Sequence, residues 1–327
     1  MINKNDNSVP NNSLSGTYFM FLVSIIIWTV FLNGNKVYAQ QDSQYTHYMY
    51  NTQVINPAYA GSRGQLTALA LYRNQWVGLD GAPKTLNFGV HSPLGLSQRL
   101  GLGLNFFKDE IGPADESNIA ADVSYTIPVS DGGTQLAFGL KGGINILNVD
   151  YTKLNLEVPD GAFQNNIRNR LTPVIGLGFF LYHSDVWYAG ISTPNVLKTT
   201  HYDDVKVSNV TEKMHLYATA GYVFDLSSST KFKPAVMAKM VSGAPLALDV
   251  SANFLFNEKF TIGAAYRWSA AVSGLVGFQI SDSIMIGYAY DYGLQELANY
   301  NSGSHEVFLR FELGSGGQPS LIIPRFF

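Results

Sequence analysis

The sequence predicts an all-β protein, a closed antiparallel transmembrane β-barrel of about fourteen strands that follows an N-terminal signal peptide. Apolar residues alternate with small or polar residues along most of the chain after residue 40, which is the period of a β-strand. Charged residues make up only 14% of the chain, against about 25% in an ordinary soluble domain. The 31 glycines, 19 tyrosines and 20 phenylalanines suit a β-protein whose outer surface does not face water.

The chain begins with a targeting segment. Residues 17–32, TYFMFLVSIIIWTVFL, form a long apolar run that follows Lys4. Val37 and Ala39 match the small-residue pattern of a signal peptidase site, which predicts cleavage between Ala39 and Gln40. The alternative is an uncleaved membrane anchor, because the run is only slightly shorter than the about 20 residues that span a bilayer. The chain is exported in either case, with a cleaved signal peptide or with an uncleaved anchor.

The second face of each predicted strand distinguishes two folds that share this alternation. In residues 283–292, Ile286, Tyr288 and Tyr290 fall on one face, and Asp291 falls on the other. A soluble sandwich would show its second face to water, and that face would be rich in lysine and glutamate. Here the second faces carry small residues and a few charges of both signs, namely Lys141, Lys239, Asp249, Arg267, Asp291, Arg310 and Glu312. This pattern favours a barrel with lipid outside and ion pairs in the lumen.

The predicted strands are joined alternately by long and short links. Short links fall at 183–185, 257–259 and 281–283, and long ones at 149–171 and 194–212. An even number of strands places both ends of the barrel in the periplasm. The expected organisation is a signal peptide at 1–39, a periplasmic N-terminal lead segment at 40–64, the barrel at 65–313 and a periplasmic C-terminal tail at 314–327.

Motifs for chemistry are missing from the sequence. The absence of cysteine excludes disulfides and thiolate sites, and neither H-E-x-x-H nor G-x-S-x-G occurs. Asp109–Glu110 and Asp115–Glu116 flank a predicted outer loop, where a solvated turn is favoured over a calcium site. A net charge of −3 gives no basic field for nucleic acid. We therefore predict no catalytic residue, cofactor or metal, although a barrel hydrolase remains open as an alternative.

Two neighbouring stretches carry a family resemblance. They are QDSQYTHYMYNTQVINPAYAG at 41–61 and YRNQWVGLDGAPKTLNFGVHSPL at 72–94. The residues that define the pattern are Asn56, Pro57, Tyr59, Gly61, Arg73, Gln75, Trp76, Pro83 and His91. With them, the chain resembles the PorP/SprF family of outer-membrane proteins of type IX secretion.

The resemblance implies a location in the cell outer membrane and a role without catalysis. Relatives of this kind assist secretion and cell-surface attachment of particular cargo proteins, such as large adhesins, some of them used in gliding. The implied partners are outer-membrane lipid, a secreted cargo protein and type IX secretion components. A porin-like channel for small solutes has the same architecture and stays open as the alternative function.

The stretch at 72–85 has two interpretations. In the first, the stretch is part of the barrel architecture: Tyr72 and Trp76 lie near the outer membrane interface, and Arg73 lies in the lumen wall, where an acidic strand residue pairs with it. Glycine and proline at 78–83 then supply a tight return between strands. In the second, this rim grips a cargo or a secretion partner.

Overall fold

The structure is a computed structural model. It describes residues 43–95, 97–130, 132–153, 166–183, 186–197, 199–200, 211–212 and 214–313. The predicted signal peptide with its cleavage site at Ala39 and Gln40, and the predicted tail at 314–327, lie outside these residues.

Strands account for most of the described chain. Their bounds are β1 Leu66–Asn74, β2 Lys84–Leu94, β3 Leu100–Ile111, β4 Ala114–Pro128, β5 Thr134–Val149, β6 Ile167–His183, β7 Trp187–Thr193, β8 Thr199–Thr200, β9 Thr211–Glu212, β10 His215–Tyr222, β11 Phe224–Ser227, β12 Thr230–Val241, β13 Ala247–Phe256, β14 Phe260–Arg267, β15 Ala271–Ser281, β16 Ile284–Gly293 and β17 Ser304–Leu313.

Antiparallel pairing closes these strands into a ring. Neighbours in sequence pair with each other from β1 to β7 and from β12 to β17, β1 pairs with β17, and β10 bridges β7 and β12. β11 continues β10 beyond Val223 and pairs with β12, so the two form one wall strand. β8 and β9 form a separate two-stranded ribbon. The wall therefore has fourteen strands, which confirms the predicted closed barrel.

The two faces of the wall differ as the alternation predicts. Outward-facing residues are large and apolar, and the side chains of Leu104 and Leu140 are each 59% exposed. The charged residues that the sequence assigns to the second face are all buried: Lys141, Lys239, Asp249, Arg267, Asp291, Arg310 and Glu312. An apolar exterior around a polar interior is the arrangement of a membrane barrel, with lipid in place of water outside.

The two ends of the barrel carry different connections. At one end, called here the short-turn end, the links are 95–99, 129–133, 184–186, 228–229, 257–259 and 282–283. At the other, the long-loop end, they are 75–83, 112–113, 150–166, 194–214, 242–246, 268–270 and 294–303. Leu66, the first residue of β1, and Leu313, the last residue of β17, pair with each other at the short-turn end.

One predicted loop is instead part of the wall. Asp109 pairs in register with Glu116, and Glu110 with Asp115, because β3 and β4 continue to a two-residue turn. Lys108 binds Glu110 at 2.6 Å and Asp115 at 2.9 Å across this ladder. All four carboxylates are therefore strand residues, Glu110 and Asp115 share a cation, and the expectation of a loop at these positions was wrong.

The lead segment does not extend into the periplasm as expected. Residues 43–64, called here the plug, lie inside the barrel. Every residue from Tyr45 to Arg63 is buried except the half-buried Val54 and Gly61. The plug contains one helical turn, Thr52–Ile55, and a 3₁₀ turn, Pro57–Tyr59. In the described parts of the chain, no helix combines the length and the apolar character needed to cross a membrane.

Arginine on the lipid side of the wall should destabilise the barrel. We expect Leu140→Arg to lower the free energy of unfolding by about 2–4 kcal/mol if this residue lies near the bilayer centre. The measurement is guanidinium unfolding in lipid vesicles. Asp80→Arg, in the exposed 75–83 loop, is the control and should change stability little. Equal stability of Leu140→Arg and the wild type would contradict a lipid-facing wall at this position.

Candidate functional site: the plug and the long-loop rim

The plug crosses the whole lumen in one direction. Gln44 accepts a hydrogen bond at 3.0 Å from Arg267, the last residue of β14 at the long-loop end. Gly61 donates one at 3.1 Å to Nδ1 of His91, near the short-turn end of β2. The chain then leaves the lumen and enters β1 at Leu66. The start of the plug is therefore at the long-loop end and its finish at the short-turn end.

A buried cluster holds the start of the plug. We call Thr46, His47, Arg73, Asp291 and Glu306 the upper clasp. The backbone N–H groups of Thr46 and His47 donate to the Glu306 carboxylate at 2.9 and 2.7 Å, and Nδ1 of His47 lies 2.8 Å from it. Arg73 binds Glu306 at 3.2 Å and Asp291 at 2.6 Å. The pairing of Arg73 with acidic residues of the neighbouring strands β17 and β16 agrees with the alternation of β1.

Hydroxyl contacts complete the upper clasp. The Thr46 hydroxyl lies 2.8 Å from both carboxylate oxygens of Asp291 and accepts a hydrogen bond from Arg73 at 3.0 Å. Arg73 and Glu306 are each only 1% exposed. Because buried charges are costly unless they are paired and hydrogen-bonded, the wall carboxylates need both the arginine and the donors of the plug.

The middle of the plug binds the wall at β2, β4 and β5. Nε2 of Gln53 donates to Asp122 at 3.1 Å and to the Val90 carbonyl at 3.2 Å. Asp122 also accepts a close hydrogen bond from Asn105 and lies 3.6 Å from Nζ of Lys141. This lysine in turn donates to the backbone of the plug, at the Val54 carbonyl, at 2.9 Å.

Asn56 fixes the bend between the two helical turns. Its side-chain oxygen accepts from the Ala58 N–H at 3.0 Å, which caps the Pro57–Tyr59 turn. Its Nδ2 donates to the Phe179 carbonyl of β6 at 3.0 Å. Proline at the first position of the turn needs no N–H partner there and has the required φ. These contacts give Asn56 and Pro57 a structural role that their order in the sequence does not reveal.

Glycines of β5 and β6 make room for this bend. A Cβ at Gly139 would overlap the backbone of Pro57 and Ala58, and one at Gly178 would overlap the Asn56 side chain. The wall therefore approaches the plug at the distance of direct backbone contact, which only glycine permits.

The lower end of the plug turns sharply beside β2 and β3. Gly61 has φ +76°, and a Cβ there would be 2.8 Å from Cα of Gly101. Tyr59 stacks edge-on against His91 and Phe180, with ring centroids 5.4 Å apart in each pair. His91, 4% exposed, thus joins the family-pattern residues Tyr59 and Gly61.

Arg63 anchors this lower end to the last strand. Its Nε binds the Glu312 carboxylate closely. Burial is the largest single influence and lowers the pKa of Arg63, but the interactions with Glu312 and Tyr59 together outweigh it and raise that pKa above its ordinary value. The guanidinium therefore keeps its charge inside the barrel.

Cationic and aromatic side chains fill the space beside the plug. Tyr50 packs on Phe308 with ring centroids 4.9 Å apart, and Nζ of Lys233 lies 5.0 Å from the centre of the Tyr50 ring. The guanidinium of Arg310 is 5.6 Å from the same ring. Cations over an aromatic face are attracted by its quadrupole, so Tyr50 stabilises positive charge that the wall places in the lumen.

The 75–83 loop forms the rim above the upper clasp. The Gln75 N–H donates to the Pro83 carbonyl at 2.9 Å, which closes the loop. Trp76 has φ 47°, its N–H donates to the Ser304 hydroxyl at 3.2 Å, and its side chain is 36% exposed. Val77 pairs with the 294–303 loop through Gly303 and Ser302 at 2.9 and 2.8 Å.

A polar cleft of about 460 Å³ lies at this rim, where the 75–83 loop meets the β3–β4 turn. Its lining residues are Asn74, Val77, Gly78, Leu79, Asp80, Gly81, Ala82, Lys84, Glu110 and Gly112.

The family-pattern residues thus form two groups. Asn56, Pro57, Tyr59 and Gly61 belong to the plug, and Arg73 and His91 bind the plug from the wall. Gln75, Trp76 and Pro83 form the rim loop. The sequence did not indicate Thr46, His47, Gln53, Asp122 or Glu306 as contact residues, because the partners in each contact are far apart in the chain. The one signal in the sequence is the period-two pattern of β17, which puts Glu306 on the same inward face as Arg310 and Glu312.

The described residues contain no group of three or more histidine, aspartate or glutamate side chains placed to hold a metal ion. Asp122, Asp291, Glu306 and Glu312 contact cationic side chains or hydrogen-bond donors of the plug. This arrangement binds a peptide segment. Fold and site together define a membrane β-barrel whose lumen is occupied by its own N-terminal segment.

Comparison with known families agrees with this class. The family described as type IX secretion system membrane protein PorP/SprF matches residues 37–311. The chain belongs to this family, and it is an outer-membrane protein. The family consists of secretion-system membrane barrels and is not a family of enzymes. A search of curated proteins found no match.

Solved barrels resemble the chain only distantly. The outer membrane protein Omp33 of Acinetobacter baumannii is 10% identical, with a TM-score of 0.46, over 76% of this chain and 98% of that one. The monoaromatic hydrocarbon channel CymD is 13% identical, with a TM-score of 0.47, over 81% and 94%. A TodX mutant of the same channel class is 10% identical, with a TM-score of 0.48, over 80% and 94%. With TM-scores below 0.5 and identities of 10–13%, the solutes of those channels say nothing about this protein.

Removing the Glu306 carboxylate should free the start of the plug. We expect Glu306→Ala to cost about 3–5 kcal/mol of stability, because Arg73 and the plug donors lose a buried partner. Hydrogen exchange at the amides of Thr46 and His47 should increase strongly. The control is Glu110→Ala, which breaks an exposed ion pair worth about 0–1 kcal/mol. Unchanged exchange at both amides in Glu306→Ala would contradict the upper clasp.

A methyl group at Gly139 should push the plug from its seat. We expect Gly139→Ala to destabilise the barrel and to increase exchange at Ala58, because the new Cβ overlaps the plug backbone. Gly142→Ala in the same strand is the matched control, since a Cβ there meets nothing within 4 Å. Equal stability of the two variants would show that the wall does not press on the plug at this point.

Proposed function

We propose that this protein assists the secretion and cell-surface attachment of specific cargo proteins, such as the large adhesins used in gliding, by binding them at its long-loop rim. Membership of a type IX secretion family supports the general role. The observation that carries the proposal is the filled lumen. A barrel occupied by its own plug leaves its rims as the surfaces for a large partner.

The orientation of the barrel supports an external binding surface. Short turns face the periplasm and longer loops face outward in outer-membrane barrels. The long-loop end therefore faces the cell surface, where attached cargo must be held. This end carries the 75–83 and 294–303 loops, which bind each other, and the links 150–166 and 194–214.

Trp76 is the best candidate for a contact residue on this rim. It has a positive φ, which is uncommon for a bulky residue and is retained only where the surroundings enforce it. Its ring is partly exposed beside the cleft, and tryptophan is a frequent anchor in protein interfaces. Arg73, in contrast, is buried in the upper clasp, so the two residues of this stretch have separate roles.

The porin alternative requires an open path for solutes. Plug residues contact the wall strands β1, β2, β4 to β7, β13, β14, β16 and β17. This distribution argues against a steady pore while the plug is in place.

Loss of the rim tryptophan should reduce cargo secretion without affecting the barrel. We expect Trp76→Asn to lower the amount of one large surface protein, measured by mass spectrometry of shaved cells and culture medium. Asparagine tolerates the positive φ at this position, so barrel assembly should be normal. Shortening the 154–165 or 201–210 segment should release the same cargo from the purified barrel.

Trp268→Ala is the matched control, because this tryptophan is also exposed at the long-loop end but follows β14, which three wall strands separate from β1. Cargo secretion in this variant should equal that of the wild type. A steady large conductance of the purified wild-type protein in bilayers, with unchanged secretion in Trp76→Asn, would favour the channel instead.

A further inference from the structure

The polar cleft at the rim lies on the outer face of the wall, not on the lumen side. Three of its lining residues, Asn74, Lys84 and Glu110, stand side by side on β1, β2 and β3. Asn74 pairs in register with Lys84, and Lys84 pairs with Glu110. Their neighbours Arg73, Thr85 and Asp109 are buried and point inward. Because successive strand residues point to opposite faces, the three lining residues point away from the lumen.

The wall directly below the polar cleft is apolar. Tyr72 and Leu86 are the next residues down the outer faces of β1 and β2, each 43% exposed, and Phe88 follows on β2 at 47%. A tyrosine above apolar side chains is typical of the boundary between hydrocarbon and headgroups. With the long-loop end outside, the polar cleft is therefore level with the headgroups of the outer leaflet.

The 75–83 loop covers the polar cleft from above. The Gly81 carbonyl accepts a hydrogen bond at 2.9 Å from the Gly112 N–H, which ties this loop to the β3–β4 turn. Gly78 has φ +101°, and a Cβ there would meet nothing within 4 Å, so its backbone borders open space. Within the described part of the chain, the N–H groups of Gly78 and Asp80 have no hydrogen-bond partner. Backbone donors are therefore available to a ligand.

The charges around the polar cleft favour a ligand with many hydroxyl groups over a free phosphate. Lys108 binds Glu110 at 2.6 Å and Asp115 at 2.9 Å at the edge of the cleft. Asp80 and Lys84 form no salt bridge with any described residue. Two lysines thus stand against three carboxylates, and this excess of negative charge repels an anion. Carboxylate, amide and ammonium groups together offer the acceptors and donors that sugar hydroxyls need.

We propose that the polar cleft binds the sugar headgroup of an outer-leaflet glycolipid. Its volume of about 460 Å³ lies within the range of about 300–1,000 Å³ of small-molecule sites. Val77, Leu79 and Ala82, which also line the cleft, suit the C–H faces of a sugar ring. The acyl chains of the glycolipid then lie along Leu86 and Phe88.

The sideways opening of the polar cleft favours a membrane lipid over a sugar carried by cargo. A cargo chain held above the rim approaches the barrel from the long-loop end, whereas Asn74, Lys84 and Glu110 face the surrounding membrane. The inference goes beyond the proposed function, because it concerns the lipid beside the barrel and holds whatever the cargo is.

Lipopolysaccharide titration of the purified full-length protein tests this site. The protein is placed in nanodiscs of phosphatidylcholine, and bound lipopolysaccharide is counted by native mass spectrometry. The variant Asp80→Ala with Lys84→Ala removes one acceptor and one donor from the cleft and keeps the net charge. The matched control, Lys259→Ala with Asp282→Ala, makes the same change at exposed positions of the short-turn end.

We expect lipopolysaccharide to bind the cleft variant at least about tenfold more weakly than the wild type, because hydrogen bonds to two charged groups are lost. The control should bind like the wild type, and removal of the lipopolysaccharide phosphates should not weaken binding. In the wild type, hydrogen exchange at the amides of Gly78 and Asp80 should slow when lipopolysaccharide is added.

Three results would overturn the proposal. The first is equal binding by the wild type and the cleft variant, with exchange at Gly78 and Asp80 unchanged. The second is that phosphatidylglycerol, which has no sugar ring, binds with the same dependence on Asp80 and Lys84. The third is that the soluble oligosaccharide released from the same lipopolysaccharide binds as tightly as the intact lipid, which would assign the cleft to a glycan outside the membrane. Secretion enters none of these measurements, so failure here is distinct from failure of the proposed function.

Discussion

The Glu306 carboxylate is the contact on which the arrangement of the barrel and plug depends. It accepts hydrogen bonds from the Thr46 and His47 backbones, lies beside the His47 ring and pairs with Arg73. An inward carboxylate between lipid-covered walls needs such partners because its desolvation costs several kcal/mol. The plug supplies three of these four contacts, and the wall supplies Arg73. The wall and the plug thus supply hydrogen-bond and charge partners to each other's buried polar groups.

This mutual dependence explains features of the wall that look unrelated in the sequence. Glycines at 139 and 178 leave space for the bend at Asn56, while Asp122 and Lys141 bind Gln53 and the Val54 carbonyl. The inner face, with its small residues and charges of both signs, is therefore complementary in shape and charge to the plug. It suits a barrel that acts through its rims. Arg73 is buried in the lumen and Trp76 is exposed at the rim, although they are only three positions apart.

Much of the wall was predictable from local pattern. Period-two alternation gives the strand faces, and it placed Asp291, Arg267 and Arg73 in the lumen, since a strand has only two faces. The alternation of short and long links gave the ends of the barrel. The local pattern failed at Asp109–Glu116, where four carboxylates suggested a loop. There, Lys108 binds Glu110 on its own strand and Asp115 on the next, and both strands continue.

The sequence by itself determined the barrel, its lipid-facing exterior and its family, because these depend on residue type and on neighbours close along the chain. Only the tertiary structure decided that residues 43–64 fill the lumen and in which direction they run. Several of their contacts join positions more than 200 residues apart, as between Thr46 and Glu306. The segment itself has mixed polar and aromatic composition, which is compatible with a periplasmic lead and with a plug. What distinguishes the two is the complementary inner surface, and that surface exists only when fourteen strands have closed.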